Sequence, residues 1–493
     1  MNAVTFSRTE CDSRKLRPGD TFAAISGENK NGNVFIPAAI AAGAKEIISE
    51  LNRPSDIPDN IKWTKVRDAR FELARRACAQ ADNPSHKMKV FGITGTNGKT
   101  TTANLLRAIL TAANYPCGLL STIGNDLFPL DNTTTNSLSK TNTLLPSNNT
   151  TPGPVELQDS LALMYENGCA ACVMEVSSHA LMQKRIYGTR FEGVAFTNLT
   201  QDHLDYHGTM EEYFKAKSLL FIPPIAPAVV NIDCGFGSML ATQIKSAGGN
   251  VLTYGNTPAA DLYFSNPILT AEATRFSLLY KGKTYDISLN LLGRHNIYNA
   301  LTAIGLALNA GIDLTIAISA IEKEQPTRGR LEHVKLEGSQ ANFYVDYAHT
   351  PDAIENVLRT LREITEGRLF IVFGAGGDRD RRKRPLMGKA AFSNADYLII
   401  TSDNPRSEPP RAIIDEILEG IPGTAIGEQP PSDAPELISI EDRREAIAFA
   451  VKKANQPGDV VLIAGKGHED YQIFADHTEH FDDIEELRKL SHQ

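Results

Sequence analysis

Long hydrophobic runs are missing from this sequence of 493 residues. No apolar stretch approaches the roughly 18 residues that a membrane-spanning helix needs, so we expect no membrane span. The chain does not open on a basic segment followed by an apolar stretch, and we therefore expect no signal peptide. Together these expectations favour a cytoplasmic protein.

Cysteine is scarce as well. The six cysteines are scattered along the chain, which fits a reducing compartment. Cys169 and Cys172 have CxxC spacing, but they lie in the apolar run CAACVMEV and no second pair is near. We therefore interpret both as packing in a buried strand and not as a metal site.

Positive charge is outnumbered. Lys and Arg together count 50 against 59 for Asp and Glu, and the formal net charge is -9. This balance gives no indication of nucleic-acid binding. An anionic substrate must be held by local groups, because the overall field would not attract it.

The composition is otherwise that of a soluble globular protein, with 42% apolar and 22% charged residues. Length alone suggests two to four domains. Breaks near residues 81–89 and 324–330 divide the chain into residues 1–87, 88–327 and 328–493. Short strand-like runs and turns fill the first region. Strands alternate with helices in the other two, which predicts α/β domains with parallel, doubly wound sheets.

Polar or glycine-rich clusters follow the strand-like runs, as in FYVDYAH, RLFIVFGAGG, DYLIITSDNP and DVVLIAGKGHED. Because ligands of open α/β sheets bind beyond the carboxyl ends of the strands, we expect the site there. Residues 125–150 differ, since they are rich in Asn, Thr and Ser without a clear period. This composition predicts that most of these residues form a surface loop.

The run VFGITGTNGKTT at residues 90–101 has the order of a strand, a glycine turn and a helix start. Gly95 and Gly98 would let the backbone approach phosphates closely. Lys99 would place a positive charge beside the β- and γ-phosphates, and Thr100 would offer a hydroxyl to Mg²⁺. The run therefore predicts a nucleotide site.

This phosphate loop departs from the standard pattern at one point. The pattern has glycine six residues before the lysine, where this chain has Ile93, and the glycine stands one position earlier at Gly92. The alternative is a glycine turn before an ordinary helix, but the strand–loop–helix context favours ATP. The helix should bury one stripe, made of Leu105, Leu106, Ile109 and Ala113.

The motif TGTNGKTT at 94–101 resembles the phosphate-loop motif of the Mur ligase superfamily, which includes the folylpolyglutamate synthases. Further motifs, in order, resemble those of the UDP-N-acetylmuramoyl-tripeptide synthetases and cover nearly the whole chain. They are DSR at 12–14, NTTP at 149–152, EVSSHAL at 175–181, DHLDYHGTMEEYFKAKSLLF at 202–221, LLGRHNIYN at 291–299, GRLE at 329–332, VDYAHTPD at 345–352, GAGGDRD at 374–380, DNPRSE at 403–408 and GKGHEDYQ at 465–472.

The resemblance implies an α/β fold of three domains. Residues 1–87 would bind UDP, residues 88–327 would be a P-loop ATPase with a mainly parallel sheet, and residues 328–493 would be a Rossmann-like, amino-acid-binding domain. It also implies ATP-dependent ligation of meso-diaminopimelate to UDP-N-acetylmuramoyl-L-alanyl-D-glutamate, in cytoplasmic peptidoglycan precursor synthesis. We expect a monomer with these small-molecule substrates and no nucleic-acid or membrane partner.

The implied reaction has two steps. A carboxylate takes the γ-phosphoryl group of ATP to give an acyl phosphate, and an amine then attacks and expels phosphate. Both steps gather negative charge, so cations must be fixed in place. The resemblance accordingly implies Mg²⁺, with ATP as co-substrate.

Glu175 ends a predicted buried strand, and His203 follows another after VAFTNL. The resemblance implies that both support Mg²⁺, together with Thr100. The alternative for Glu175 is a helix cap. For His203 it is a structural hydrogen bond, which is the commoner case for a lone histidine.

Lys217 lies on the apolar side of a predicted helix. Thr209 and Glu212 have the spacing of a capping box that begins this helix. A buried lysine tends to lose its proton, and a neutral amine can add CO₂ to form a carbamate. The resemblance implies such a carbamate on Lys217 as an oxygen ligand for a second Mg²⁺. The alternative is a lysine stem that reaches the surface. The apolar stripe consists of Met210, Tyr213, Phe214, Leu220 and Phe221, and Lys215 lies off it.

For ATP and catalysis the resemblance implies contributions from both larger regions. Asn296 resembles the residue that reads the adenine, although a lone Asn is more often a turn residue. Arg330, Asp346 and His349 resemble the contribution of the C-terminal domain once the domains close. The implied catalytic residues are Lys99, Glu175, His203, Lys217, Arg330 and His349. The implied ATP-binding residues are Gly95, Thr96, Asn97, Gly98, Lys99, Thr100, Thr101, Asn296, Arg330 and Asp346.

The other two substrates are assigned in the same way. UDP-muramoyl-dipeptide is implied to contact Ser13, Asn149, Thr150, Thr151, Ser177, Gln183 and Arg185. The run TTT at 133–135 is a competing alignment for the threonine pair, but PGPVELQ follows the pair at 150–151. Diaminopimelate is implied to contact Arg379, Asp403, Asn404, Pro405, Arg406, Gly465 and Glu469.

Arg406 in DNPR is the sharpest of these assignments. Lysine and diaminopimelate differ by one carboxylate, which calls for a planar, bidentate cation. Members that add diaminopimelate carry arginine at this place, and members that add lysine lack it. Glu469 could pair with an ammonium group. The alternative for Arg406 is a surface turn residue.

Two rival interpretations remain. A folylpolyglutamate synthase shares the phosphoryl chemistry, but it does not need the first 87 residues and would leave DNPR unused. A nucleotide-binding switch that forms no bond would have no use for Glu175, His203 and Lys217 together. Stimulation of ATP turnover by a UDP-sugar peptide separates all three.

Overall fold

A computed structural model describes residues 7–27, 31–128, 144–145, 149–223, 226–270, 273–326, 328–423 and 434–492. These residues form four β-sheets, three of them covered by helices. No helix among them is long and apolar enough to cross a membrane.

Residues 9–80, the N-terminal unit, form a small parallel sheet with its strands in chain order. Phe22 and Ile47 face one side and Ala23 and Ile48 the other, as the twofold period of a strand requires. The elements are Thr9–Glu10 (β1), Thr21–Ala23 (β2), Ile36–Ala41 (α1), Glu46–Ser49 (β3), Lys62–Lys65 (β4) and Ala69–Gln80 (α2).

Residues 89–321, the central unit, form the largest sheet. Its elements are Lys89–Thr94 (β5), Lys99–Ala112 (α3), Cys117–Ser121 (β6), Gly124–Asp126 (β7), Leu144–Leu145 (β8), Pro154–Glu166 (α4), Ala171–Glu175 (β9), Ser178–Met182 (α5), Gly193–Phe196 (β10), Leu204–His207 (α6), Met210–Ser218 (α7), Ala228–Asn231 (β11), Gly235–Ser246 (α8), Val251–Gly255 (β12), Leu262–Leu269 (β13), Thr274–Tyr280 (β14), Lys283–Leu289 (β15), Arg294–Asn309 (α9) and Leu314–Ile321 (α10).

The strand order in this sheet is β15-β14-β13-β12-β11-β10-β5-β9-β6-β7-β8. The seven neighbouring strands β13, β12, β11, β10, β5, β9 and β6 pair in parallel. Antiparallel strands extend this sheet at both edges, with β14 and β15 beyond β13 and with β7 and β8 beyond β6. Phe91 and Ile93 of β5 pack with α3 and α9 on one face, and Val90 packs with α4 and α7 on the other. Because both faces are covered, the middle strands read as continuous apolar runs.

The surface loop predicted for most of residues 125–150 does not include the first two of them. Asn125 and Asp126 belong to β7 and are buried. Arg107 of α3 is buried as well and donates to the Asp126 carboxylate at 2.6 Å, which permits the acid to leave water. The rest of the prediction falls mostly on residues 129–143 and 146–148, outside the described residues.

Residues 328–492, the C-terminal unit, form a second mainly parallel sheet. Its elements are Glu332–Val334 (β16), Asn342–Asp346 (β17), Pro351–Arg362 (α11), Leu369–Phe373 (β18), Lys383–Phe392 (α12), Tyr397–Ile400 (β19), Pro410–Leu418 (α13), Glu436–Ser439 (β20), Arg443–Lys453 (α14), Val460–Ala464 (β21), Tyr471–Ile473 (β22), Thr478–His480 (β23) and Asp483–Lys489 (α15). The order is β16-β17-β21-β18-β19-β20, and β22 and β23 form a separate hairpin.

The two faces of the C-terminal sheet carry separate apolar cores. Helices α11, α12 and α13 cover one face, and α14 and α15 cover the other. This arrangement leaves the carboxyl ends of β17, β18, β19 and β21 as the edge where polar clusters can gather. In this unit the α/β prediction is confirmed.

Candidate active site

The phosphate loop joins β5 to α3 and is packed from two sides. A Cβ at Gly95 would lie 1.8 Å from the Thr197 hydroxyl oxygen, and a Cβ at Gly98 would lie 2.2 Å from Asn299 Oδ1. Gly98 also has a φ of +85°, which favours glycine. The predicted strand–loop–helix arrangement is confirmed, and the nucleotide contacts of the loop stay a prediction.

Lys99 and Lys217 converge on this loop. Lys99 Nζ donates to the carbonyl oxygens of Gly95 at 3.0 Å and Thr96 at 2.7 Å. Lys217 Nζ also donates to Gly95, at 2.9 Å. Burial lowers the pKa of both lysines, and the charge of Lys99 contributes to holding the pKa of Lys217 well below its usual range.

Lys217 is buried by the helix that carries it. Only 1% of the surface of Lys217 is exposed, so the alternative of a lysine stem that reaches the surface is wrong. The Thr209 hydroxyl accepts from the Glu212 backbone N–H at 3.2 Å, which begins α7 as predicted. The predicted box is only half formed, because the Glu212 carboxylate accepts from exposed Lys215 at 2.6 Å.

Glu175 is the last residue of β9 and lies against the phosphate loop. Its carboxylate accepts from the Thr100 hydroxyl at 2.8 Å and from the backbone N–H and hydroxyl of Thr122 at 3.1 and 3.2 Å. The helix-cap alternative is wrong, since Ser177 caps α5. A hydroxyl and a carboxylate beside a phosphate loop are ligand types that Mg²⁺ prefers.

His203 follows β10 at the start of α6. It has a left-handed φ of 52°, and its side chain is about half exposed, at 48%. Its Nε2 lies 3.4 Å from Asp202, and its ring lies 5.0 Å from that of His179. Within the described part of the chain, no three His, Cys, Asp or Glu side chains form a metal-binding group.

The C-terminal unit reaches the phosphate loop through Arg330. The guanidinium donates to the Thr100 hydroxyl at 3.2 Å and lies 4.8 Å from the centre of the Tyr347 ring. Asp346, at the end of β17, accepts from two backbone N–H groups. Burial raises the pKa of Asp346 and lowers the pKa of His349 to about 4. The polar ends of β5 and β17 therefore meet.

Asn296 contacts the phosphate loop indirectly, through Asn299. It lies buried in the first turn of α9, so the turn-residue alternative is wrong. Its amide donates to the Leu292 carbonyl at 2.7 Å, and its Oδ1 accepts from Asn299 at 2.8 Å. Asn299, which the sequence did not single out, is the residue that packs on Gly98. The adenine contact of Asn296 stays a prediction.

Four of the residues assigned to the muramoyl-dipeptide come together beside Glu175. The Thr151 hydroxyl donates to the Glu175 carbonyl and accepts from the Ser177 N–H, both at 2.9 Å. Arg185 donates to the Thr151 carbonyl at 2.8 Å and to Gln183 Oε1 at 3.0 and 2.8 Å. This network links the Arg185 guanidinium, through Thr151, to the backbone at the end of β9.

The remaining residues of that group are more dispersed. Thr150 shares a hydrogen bond of 3.2 Å with Thr122, whereas Asn149 is exposed. Ser13 lies in a short 3-10 helix of the N-terminal unit. The competing run at 133–135 lies outside the described residues.

A second polar site lies at the ends of β19 and β21. Asn404 donates to Glu469 at 2.7 Å and accepts from the Ile473 N–H at 3.0 Å. A Cβ at Gly465 would lie 2.6 Å from the Asp403 carboxylate, so these two loops touch. Burial and the Asp403 charge raise the pKa of Glu469.

Arg406 borders this site. It lies in a turn with a left-handed φ of 52°, but it is only partly exposed, and its guanidinium donates inward to the Gly377 carbonyl at 2.8 Å. Pro405 packs on Gly377, where a Cβ would lie 1.8 Å from the Pro405 carbonyl. Arg379 is exposed nearby and donates to the backbone of Asp378. Arg406 therefore lies in a turn, as the alternative has it, but its side chain is directed inward and not to the solvent.

Sequence reasoning missed several buried cations here. Lys466 is fully buried, 3.4 Å from Glu469. Arg384, also fully buried, pairs with Glu408 and thereby ties GAGGDRD to DNPRSE. Lys383 donates to the His349 carbonyl at 3.0 Å, between the two sites. In the run DRDRRKRP no local signal distinguishes the buried cations from the exposed ones.

Known proteins show the same architecture. Residues 93–307 match the Mur ligase middle domain, and residues 329–467 match the glutamate ligase domain of Mur ligases. The chain is 42% identical over 495 residues to the UDP-N-acetylmuramoyl-L-alanyl-D-glutamate–2,6-diaminopimelate ligase of Clostridium botulinum, which covers 99% of this chain and 96% of that protein. A solved structure of a ligase with the same name is 33% identical, with a TM-score of 0.67, covering 99% of this chain and 95% of that one.

A folylpolyglutamate synthase of Mycobacterium tuberculosis has the same fold at 17% identity. Its TM-score is 0.61, and it covers 81% of this chain and 93% of its own. The near full-length identity of 42% is found instead with the ligase of Clostridium botulinum. The chain belongs to the Mur ligase family.

Proposed function

We propose that this chain is an ATP-dependent ligase that joins meso-diaminopimelate to UDP-N-acetylmuramoyl-L-alanyl-D-glutamate. The observation that carries the proposal is the contact of Arg330 with Thr100 at 3.2 Å. It brings the carboxyl ends of the central and C-terminal sheets together, so that phosphoryl transfer and amine attack can share one site.

The first step needs fixed positive charge. Lys99 and Arg330 would hold the γ-phosphoryl group while the dipeptide carboxylate attacks it, and the bond from that phosphorus to ADP breaks. Arg185, linked through Thr151 to the end of β9, would orient the dipeptide. The product of the step is an acyl phosphate.

Mg²⁺ fits the pair of Thr100 and Glu175, whose oxygens lie 2.8 Å apart beside the phosphate loop, and His203 would complete the set. Bound there, Mg²⁺ would neutralise phosphate charge. The buried amine of Lys217, with its lowered pKa, fits a carbamate formed with CO₂.

In the second step an amine of diaminopimelate attacks the acyl carbon, a C–N bond forms and phosphate leaves. Asn404 and Glu469 would hold the ammonium end, and Arg406 the distal carboxylate. His349, with a pKa of about 4, stays neutral near pH 7 and could accept a hydrogen bond or a proton. As such a ligase the chain would act as a monomer in the cytoplasmic stage of peptidoglycan precursor synthesis.

The test measures phosphate release and product mass for the purified protein with ATP, Mg²⁺, the UDP-muramoyl-dipeptide and diaminopimelate. We expect release that depends on all substrates and a product heavier by one diaminopimelate residue. Release that requires a folate and glutamate, and ignores the UDP precursor, would assign the chain to folylpolyglutamate synthesis instead.

A further inference from the structure

Asp352 joins the C-terminal unit to the phosphate loop. Its carboxylate accepts from the Asn97 side-chain amide at 2.7 Å and from the Thr200 hydroxyl at 3.2 Å. These donors are 255 and 152 residues away in the chain and belong to the central unit. The contact is separate from that of Arg330, which reaches Thr100 at the other end of the loop.

The backbone of Asn97 is already engaged inside the central unit. Its N–H donates to Asn198 Oδ1 at 2.9 Å, and its carbonyl accepts from the Thr197 hydroxyl at 2.7 Å. The side chain is thus the part of Asn97 that reaches the other unit. Thr200 is itself tied to the loop, since its N–H donates to the Thr96 hydroxyl at 3.1 Å. Asp352 therefore accepts hydrogen bonds from Asn97, which belongs to the loop, and from Thr200, which is bonded to the loop.

Asp352 is firmly placed in its own unit. It lies in the first turn of α11, which begins where the Thr350 hydroxyl accepts from the Ala353 N–H. A carboxylate is favoured at that end of a helix. Burial raises its pKa, and the donors named above are neutral groups, so the acid gains less than it would from a cation. Such a placement suits a positional role.

We propose that Asp352 is a positioning residue that fixes the phosphate loop through Asn97 when the C-terminal unit docks, and thereby couples nucleotide binding to docking. A carboxylate in contact with the phosphates would repel them, whereas Asp352 contacts the side-chain amide of Asn97 and the hydroxyl of Thr200. The inference rests on the proposed function only for its ligation readout, because nucleotide affinity can be measured without the other substrates.

The experiment uses the full chain with Asp352→Ala, Asp352→Asn, Asn97→Ala and the double variant Asn97→Ala/Asp352→Ala. Titration calorimetry gives the Kd for ATP with Mg²⁺, and ligation assays give KM for ATP and for diaminopimelate. Glu355→Ala is the matched control, because Glu355 lies on the same helix and pairs with Arg359 one turn later. Melting temperatures report folding.

We expect Asp352→Ala to weaken ATP binding at least about tenfold, as loss of a hydrogen bond to a charged group implies. KM for diaminopimelate should change less than about twofold, and Glu355→Ala should match wild type. The double variant should lose less affinity than the product of the two single losses, because both substitutions break the contact between Asn97 and Asp352. Asp352→Asn keeps an acceptor oxygen and should fall between.

Wild-type ATP affinity in folded Asp352→Ala, or effects of the two substitutions that multiply in full, would overturn the inference. Should Asp352→Ala fail to fold, Asp352→Asn carries the same comparison. If wild type binds ATP but does not ligate diaminopimelate, the proposed function is wrong, and the affinity series still decides the role of Asp352.

Discussion

Lys99 and Lys217 donate to one acceptor, the carbonyl oxygen of Gly95, at 3.0 and 2.9 Å. Two ammonium groups that share a carbonyl repel each other, and burial adds to the cost of each charge. The pKa of Lys217 accordingly lies well below its usual range. The Gly95 carbonyl thus receives one lysine from the phosphate loop itself and a second from α7, and both amines are held where burial opposes their charge.

Lys217→Ala should reduce ligation by about a hundredfold or more, the scale on which one electrostatic contact with a transition state counts. Added formate or acetate should restore part of the activity, because a short carboxylate can replace the oxygens of a carbamate. The measurement is kcat for ligation with and without the additive. Lys215→Ala, on the exposed side of the same helix, should behave as wild type. Full activity of Lys217→Ala without additive would contradict the carbamate.

Lys99→Ala should remove ATP-dependent activity and leave the protein folded. The Lys99 side chain donates to two carbonyl oxygens of its own loop, so we expect its main contribution to be charge. Phosphate release and the melting temperature are measured on the same preparation. Normal ATP turnover in the folded variant would show that Lys99 is not a phosphate-loop lysine.

His295 should make stability depend on pH. Burial lowers its pKa from 6.5 to about 4, so between these values the unfolded chain binds a proton that the folded chain does not. The free energy of unfolding therefore decreases as pH falls from about 6.5 to about 4. His295→Gln should reduce the difference between pH 7 and pH 5 by roughly 1–2 kcal/mol. Urea unfolding of wild type and variant at both pH values measures the free energy of unfolding. The same pH difference in both proteins would contradict the lowered pKa of His295.

Local patterns were enough to predict the phosphate loop and the start of α7. The order of strand, glycines and Lys99 lies within a dozen residues, and Thr209 caps its helix from three positions away. The helical stripe placed Lys217 on the apolar side of its helix, but the family resemblance was needed to favour a buried amine over a stem that reaches the surface. The order of the phosphate loop and the cap of α7 depend on residues a few positions apart, whereas the hydrogen-bond partner of Lys217, Gly95, is 122 residues away.

Long-range partners could not be predicted from one sequence. Asp126 looked like a loop residue because its buried partner, Arg107, lies on another element. Asp352 stood in a quoted motif without a role, since its partner Asn97 is 255 residues away. Asn299 was overlooked because only the folded chain brings it onto Gly98. Such contacts depend on how the sheets meet.

Arg406 is the residue on which amino-acid choice should depend. It is held by two constraints, a left-handed backbone and a hydrogen bond of 2.8 Å to the Gly377 carbonyl. Fully buried Arg384 pairs with Glu408 and anchors the loop that follows Arg406. The guanidinium is thus placed in advance, and its remaining donors can meet a carboxylate in parallel.

Arg406→Ala should lower kcat/KM for diaminopimelate at least about tenfold, because a charge-assisted hydrogen bond is worth roughly 1.5–3 kcal/mol. Wild type should reject lysine strongly, since lysine would leave the remaining donors of the guanidinium without a carboxylate in a partly desolvated pocket. The variant should narrow this preference without becoming a good lysine ligase. Steady-state kinetics with both amino acids, at saturating ATP and UDP-muramoyl-dipeptide, measure the ratio. Arg411→Ala, an exposed arginine that pairs with Asp415 on α13, is the control. If wild type used lysine as well as diaminopimelate, or if Arg406→Ala left their ratio unchanged, the specificity would have to reside elsewhere in the pocket.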